Sequence, residues 1–234
     1  MSALLVLSLT TIGLTQPVPQ PILEPLASGS RRRLVPGSSL LGELGEFAVP
    51  PPPDGWFDSR AVGACAVQRL SQERWVMWYA GRATNFPRDV VPIATGAIGL
   101  AVSKDGLMWE RACGPGSTGE CLAPVDGDFD AFDASHIGVG DVARMGNELW
   151  MVYFGGGNAF KDLGGGRAMR GVNMGLGVAV STDGGVHWRR RNEPLLMPTD
   201  GAQAFVGWPA LHGSHVYYHA YARGLQNPTD LYES

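Results

Sequence analysis

The sequence predicts an all-β fold built from repeated antiparallel sheets, and three observations support this. Charged residues make up only 17% of the 234-residue chain, which contains 33 glycines and 17 prolines. This composition favours short strands joined by many turns over long amphipathic helices. A segment of about 75 residues occurs twice, and each copy holds short apolar strands separated by turn residues.

The repeat is the main evidence for the fold, because a fixed long period indicates stacked supersecondary units. Phe57-Asp58, followed by a predicted strand at 75–81, returns as Phe132-Asp133, followed by a predicted strand at 150–156. The matched residues are 75 positions apart in both parts. We therefore expect the two segments to be copies of one sheet.

The second half of each copy also repeats, as residues 98–111 and 176–190. Each contains an Asp-Gly pair, at Asp105 and Asp183, where glycine supplies the positive φ of a tight hairpin turn. Four short antiparallel strands per copy are typical of a β-propeller blade. A third copy begins near Phe205, so the sequence predicts about two and a half blades. Propellers close with roughly four to eight blades, so we expect either a fragment or a ring completed by another chain.

Residues 1–53 are predicted to lie outside the propeller domain, which is predicted to span 54–234. The chain starts with an apolar run of 14 residues followed by a proline-rich stretch, which suits a leader segment and a linker. The run is too short to cross a bilayer, and no later segment approaches a membrane span. We expect a secreted or organelle-targeted protein.

Charge and cysteine content narrow the function classes. The net charge of -4 offers no electrostatic basis for nucleic-acid binding, and the clusters at 31–33 and 189–191 are too short to change this. Cys113 and Cys121 bracket a glycine-rich loop that could close as a disulfide in an oxidising compartment, with Cys65 left free. Three reduced thiols are the alternative, and the sequence leaves both open.

No metal or cofactor is expected. The acidic segment 126–130 resembles half of a calcium loop, but Ala131 replaces the required glycine and Ile137 replaces the closing glutamate. A solvated acidic turn is the alternative that we favour. A histidine group with spacings of three and four has no cysteine or carboxylate close by: His212, His215 and His219.

Two family resemblances follow from these motifs. The segment Ser181-x-Asp183-x-Gly185-x-x-Trp188 matches the Asp-box turn of sialidases and other propellers, where it is structural. The Phe-Asp starts, the Trp-x-x-aromatic-x-x-Gly strands and the Ala-Val-Ser-x-Asp-Gly segments resemble the arabinanase, levansucrase and invertase superfamily. These are five-bladed propeller glycosidases that include glycoside hydrolase families 43 and 32. The likeness runs from about Trp56 to Gly224.

This resemblance implies a central funnel with three carboxylates. Asp58 matches the aspartate that acts as base or nucleophile, Asp133 matches the one that tunes pKa and orients the substrate, and a glutamate of the third blade is the general acid. Our own hypothesis for this chain is that Asp133 serves as acid or pKa modulator. Family members carry Glu-Gly-Pro-x-Leu at the start of the third blade, but this chain has Gly207-Trp208-Pro209-Ala210-Leu211. Glycine at the glutamate position puts hydrolysis in doubt.

Five further side chains are predicted to bind sugar. Stacking platforms are predicted at three tryptophans and polar contacts at two further residues: Trp56, Trp78, Trp208, Arg82 and His136. The alternative for the aromatics is packing between blades, and the alternative for both aspartates is capping of a turn.

Two functions remain as hypotheses. The first is a glycosidase that uses carboxylate acid and base chemistry. The second is a carbohydrate-binding or assembly propeller that has lost the general acid. Carbohydrate is the expected partner, and self-association is expected if the chain is not a fragment.

Overall fold

The structure is a computed structural model that describes residues 2–8, 52, 55–163, 165–191, 193–198 and 203–222. Its strands, in chain order, are β1 (Ser2–Ser8), β2 (Ala61–Ser71), β3 (Arg74–Arg82), β4 (Ala97–Ser103), β5 (Glu110–Ala112), β6 (His136–Met145), β7 (Glu148–Gly156), β8 (Lys161–Asp162), β9 (Ala168–Met169), β10 (Met174–Ser181), β11 (Arg189–Arg190), β12 (Gln203–His212) and β13 (His215–Ala222). The described residues contain no α-helix. No helix in this part of the chain is therefore long and apolar enough to span a membrane.

Two four-stranded sheets correspond to the two copies of the repeat. The first sheet has the order β2-β3-β4-β5, and the second has β6-β7-β10-β11. The third sheet has the order β1-β13-β12, and β8 and β9 form a small hairpin. All the pairings between these strands are antiparallel. The prediction of an all-β fold is confirmed, whereas the propeller stays a prediction because the described sheets do not close a ring.

The structure corrects the alignment of the two copies by one residue in their second strands. Tyr79 lies opposite Gly99, and Tyr153 lies opposite Gly177, so the two tyrosines are equivalent at an offset of 74. The inner strands β2 and β6 keep an offset of 75. The difference arises because β2 has two register shifts and β6 has one. Since side chains alternate between faces, this one-residue change reverses the face assigned to every residue of β7.

Two apolar clusters connect the sheets, and a third lies on an outer face. One face of the first sheet packs against the second sheet through Trp78, Ile98 and Leu100, which meet Met151 and Tyr153. The other face of the second sheet packs against the third sheet, where Phe154 and Leu176 meet Val206 and Tyr218. A smaller cluster of Phe57, Tyr79 and Ala101 lies on the opposite face of the first sheet. The sheets are therefore stacked in chain order.

Both predicted Asp-Gly turns adopt one hydrogen-bonding pattern. Ser103 Oγ accepts from the N–H of Gly106 at 2.8 Å, and Asp105 Oδ1 accepts from two further amides. Ser181 and Asp183 form the same turn with one more residue. Partial burial opposes ionisation of Asp183, but hydrogen bonds from Ser181, His187 and Val186 lower its pKa to about 2.

Two further sequence expectations can be compared with the structure. Ser2–Ser8, within the predicted leader, is a strand paired with β13, while 9–51 and 53–54 lie outside the described residues, so the domain boundary stays a prediction. Cys65, Cys113 and Cys121 are all free. The loop between Cys113 and Cys121 is closed by backbone bonds instead, including one from Gly114 N–H to the carbonyl of Gly119.

Candidate functional site

Asp58 lies just before β2, on the face of the first sheet that points away from the second sheet. Its Oδ2 atom accepts from the Tyr79 hydroxyl at 2.9 Å and from Arg111 Nε at 2.7 Å. The carboxylate is buried, and its Oδ1 atom has no hydrogen-bond partner. Asp58 thus joins the segment before β2 to strands β3 and β5.

Asp133 has the same environment in the second sheet. Its Oδ2 atom accepts from the Tyr153 hydroxyl at 2.8 Å and from Arg190 Nε at 2.9 Å. Phe132 stacks on the ring of Tyr153 with centroids 5.9 Å apart. Burial raises the pKa of both Tyr79 and Tyr153, and the adjacent carboxylates raise it further, so both phenols stay protonated as donors.

The two aspartates do not meet in one cavity. Asp133 and Tyr153 are on the face of the second sheet that packs against the first sheet. Asp58 and Tyr79 are on the far face of the first sheet, so that sheet lies between the two carboxylates. The physical reason is that the two aspartates are equivalent. Each lies on the same face of its own sheet, and in stacked sheets these matching faces all point in one direction, so they do not face each other.

Asp133 borders a polar pocket. This cavity has a volume of about 540 Å³, and its lining combines carboxylates, arginines and aromatic rings: Asp128, Asp130, Asp133, Phe132, Tyr153, Arg190 and Arg191. A pocket of this size falls in the range of small-molecule sites. Such a mixture can donate to and accept from hydroxyl groups while an apolar ring packs against the ligand. We call this cavity the Asp133 pocket.

His136 and Arg82 both contact Thr95, and both are buried. Nε2 of His136 donates to the carbonyl of Gly171 at 3.0 Å, and Nδ1 lies 2.9 Å from the Thr95 hydroxyl. Burial lowers the pKa of His136 to about 4. Arg82 donates to the carbonyls of Thr95 at 2.8 Å and Val91 at 2.7 Å. These contacts hold the junction of β3, β4 and β6, and their predicted role in sugar binding is not tested by this geometry.

The three predicted tryptophan platforms lie in different places. Trp78 is fully buried, and its Nε1 donates to the carbonyl of Gly185 at 2.9 Å, so its ring has no surface for a ligand. Trp56 is partly buried and covers Gly119. Trp208 is 40% exposed and packs against Phe154, with centroids 5.1 Å apart. Trp208 therefore has the largest accessible surface of the three.

Trp208 also has an unusual backbone. Its φ of 48° is in the left-handed region, at a register shift of β12 between Gly207 and Ala210. This conformation costs a bulky residue roughly 1–2 kcal/mol, and such strain is most often found at functional positions. A side chain at Gly207 would meet ordinary contacts, the nearest being Phe154 at 3.7 Å.

Sequence reasoning missed the partners of the two aspartates, which are Tyr79, Tyr153, Arg111 and Arg190. A signal was present, because Arg111 and Arg190 each follow the Asp-box tryptophan by two residues. Asp141 was also missed. Its carboxylate accepts from the N–H of Leu211 at 2.9 Å, which links β6 to β12, and burial raises its pKa.

The acidic segment forms a turn. Asp128 Oδ1 accepts from the N–H of Asp130 at 3.0 Å, and both side chains are exposed. Within the part of the chain that the structure describes, no three potential metal ligands are grouped.

Comparisons with known proteins give structural neighbours only. No protein-family model matches the sequence, and no curated protein matches it. A candidate glycosidase from Bacteroides thetaiotaomicron matches with a TM-score of 0.42 and 13% identity, covering 71% of this chain and 52% of that one. A candidate glycoside hydrolase from Parabacteroides distasonis matches with a TM-score of 0.43 and 13% identity, covering 72% and 53%.

A glycosyl hydrolase from Bacteroides ovatus is similar to the same degree. Its TM-score is 0.43 and its identity 14%, with 74% of this chain and 52% of that chain covered. The chain thus spans about half the length of these solved structures. Similarity at this level assigns neither a family nor an activity.

Proposed function

We propose that this chain is a carbohydrate-binding protein of the glycoside hydrolase-like propeller type, with its sugar site in the Asp133 pocket. The observation that carries the proposal is the lining of that pocket. Carboxylates of Asp128, Asp130 and Asp133 face the same space as the guanidinium groups of Arg190 and Arg191. Sugar hydroxyls both donate and accept hydrogen bonds, so they match acceptors and donors placed side by side.

The stacked sheets support a β-propeller, the architecture of the resembling glycosidases, as the finer fold. Each four-stranded sheet is a meander, with β2 and β6 at one edge and β5 and β11 at the other. The inner strand β6 is tied to β12 by Asp141 and to β2 by Gln68, whose side-chain amide donates to the carbonyl of Val142 at 2.6 Å. Adjacent inner strands are the arrangement that surrounds a propeller axis.

Asp58 and Gly207, the positions where a base and an acid were expected, favour sugar binding without hydrolysis. Glycoside hydrolysis needs two carboxyl groups flanking one glycosidic bond. Asp58 is buried against Arg111 on another face, and Gly207 stands where resembling enzymes carry a glutamate. The assignment of Asp58 as base or nucleophile therefore remains a prediction.

Sugar binding is tested by titrating the protein with a panel of neutral and acidic oligosaccharides in a calorimeter. Asp130→Asn removes an exposed carboxylate from the pocket and is expected to weaken binding about tenfold, or about 1.4 kcal/mol. Glu73→Gln, in the exposed turn between β2 and β3, is the matched control and should not change the affinity. Equal affinities for the two variants, or no binding by the parent protein, would contradict the proposal.

Hydrolysis is the second candidate function, because three carboxylates line the same pocket. If the parent protein releases reducing sugar and Asp133→Asn abolishes the release, the enzyme hypothesis stands. If the parent protein binds sugar without turnover, Gly207→Glu tests whether the missing acid is the cause. A Cβ at Gly207 makes ordinary contacts, and Gly207→Gln is the control of nearly equal size that cannot donate a proton as a carboxylic acid.

A further inference from the structure

The far face of the first sheet carries an apolar groove of about 360 Å³ that none of the other described sheets covers. Its lining includes side chains of β2, β3 and β4 and the Asp-box tryptophan that precedes β5: Val62, Cys65, Met77, Tyr79, Ala101 and Trp109. Val62 is 58% exposed. Val67, which lies opposite Met77, is 41% exposed. Contiguous exposed apolar surface of this kind marks an interaction site. We call it the open face.

The repeat shows what the open face is built to contact. The equivalent positions in the second sheet follow from the strand registers and the Asp-box: Ile137, Val139, Met151, Tyr153, Ala179 and Trp188. The first five are at most 1% exposed, and all six pack in the core between the first two sheets. The open face is therefore a copy of a surface that, one sheet later, is covered by another sheet.

The surface of the first sheet that covers these residues of the second sheet is apolar and aromatic. Trp78 of the first sheet packs edge-on against Trp188, with centroids 5.7 Å apart, and donates to the carbonyl of Gly185. Ile98 and Leu100 fill the remaining surface. The open face accordingly suits an antiparallel sheet that projects aromatic side chains towards Trp109 and Met77.

A surface of that kind is present on the third sheet. Val216, Tyr218 and Ala220 of β13 face the second sheet. Because side chains alternate along a strand, Tyr217 and His219 face the other way, as Val76 and Trp78 do in the first sheet. Tyr217 is half-buried and His219 is exposed. Arg111, the cation that lines the groove, forms an ion pair with Asp58.

We propose that the outer face of the third sheet of a second copy of this chain covers the open face, in a head-to-tail contact. Such a contact uses two different surfaces and can close into a ring. Two copies bring together six of these sheets, which lies within the roughly four to eight that close a propeller. The proposal concerns assembly and does not depend on sugar binding in the Asp133 pocket.

The open face contains its own probe, because Cys65 is exposed there and Cys121 is buried. The experiment uses the full chain with Cys113→Ser, so that Cys65 is the reactive thiol. Molar mass by light scattering and the rate of Cys65 alkylation are measured from about 1 to about 100 μM protein. The expected result is a mass near twice 24.9 kDa at high concentration, with alkylation of Cys65 slowed about tenfold.

Two variants test the two sides of the contact. Val62→Asp on the open face and Tyr217→Asp on the third sheet should each give a monomer whose Cys65 reacts at the fast rate at every concentration. Phe160→Asp is the matched control, because Phe160 is also 59% exposed but lies in the loop before β8. It should associate like the parent protein.

If the protein with Cys113→Ser is a monomer at all concentrations and its Cys65 is alkylated at a constant rate, the proposal is wrong. This result does not depend on whether the Asp variants fold. A longer chain that carries further copies of the repeat, remains monomeric and protects Cys65 would also overturn it, because the cover would then come from the same chain. Loss of association with sugar binding intact would leave the proposed function untouched.

Discussion

The ion pair between Asp133 and Arg190 should be a large contributor to the stability of the second sheet. Arg190→Met removes the cation and leaves a carboxylate with a 3% exposed side chain that has Tyr153 as its remaining donor. Breaking a buried pair costs roughly 3–5 kcal/mol. Because the Arg190 side chain is 25% exposed, water can partly replace it, and we expect about 3 kcal/mol, at the low end of that range.

Urea unfolding followed by tryptophan fluorescence measures this loss. With a slope of about 2 kcal/mol/M, the midpoint should fall by about 1.5 M while the slope stays constant. Arg170→Met is the matched control, since its pair with Asp89 has side chains 22% and 41% exposed. Because the Asp89 carboxylate is 41% exposed, water can solvate it once the arginine is removed, and we expect a loss of about 1 kcal/mol.

A double variant separates charge from packing. Adding Asp133→Asn to Arg190→Met removes the stranded carboxylate but keeps an acceptor for Tyr153, so part of the lost free energy of unfolding should return. A loss in Arg190→Met no larger than in Arg170→Met would refute the role assigned to the pair. No recovery in the double variant would show that the loss is one of packing.

Three further predictions follow from buried groups. The pKa of His136 is lowered from 6.5 to about 4, so as the pH falls the unfolded state binds the proton first and the free energy of unfolding should decrease between these two values. His136→Gln should flatten this part of the pH profile measured by urea unfolding. Gly99→Ala should destabilise the protein by about 1–3 kcal/mol, because a Cβ there would overlap the Phe57 ring. Gly207→Ala, with its nearest contact at 3.7 Å, should cost less than about 0.5 kcal/mol in the same assay, and equal effects would contradict this packing. Burial raises the pKa of the Cys121 thiol to about 12, so at pH 8 it should react with a thiol reagent only on unfolding, and reaction in the folded protein would contradict its position.

The repeat and the turns could be predicted from the sequence because both are local patterns. The Phe-Asp starts, the alternating apolar strands and the Ser-x-Asp turns each act within a few residues, and Ser103 and Ser181 indeed cap equivalent turns. The equivalence of Asp58 and Asp133 also follows from the spacing, and the structure gives both the same pair of partners.

The convergence of these aspartates could not be decided in the same way. Spacing indicates that two residues are equivalent, but it does not indicate whether equivalent residues meet or are separated by a sheet. Spacing also could not show that the offset between the two copies changes from 75 residues in their first strands to 74 in their second strands. A bulge in β2 shifts β3 by one residue, which reverses the face on which each matched side chain lies. Trp78 is an example, since its side chain packs in the core against the second sheet and does not face a bound sugar.

The sequence alone determined that this chain is an all-β protein with two copies of a four-stranded sheet, each starting with a paired Phe-Asp. The tertiary structure decided which faces are covered, which carboxylate borders a cavity, and which arginine and tyrosine hold each aspartate. The physical reason is range: turn chemistry and side-chain alternation act between neighbours in the chain. Burial and ion pairing join residues such as Asp133 and Arg190, which are 57 positions apart and meet only when the sheet has formed.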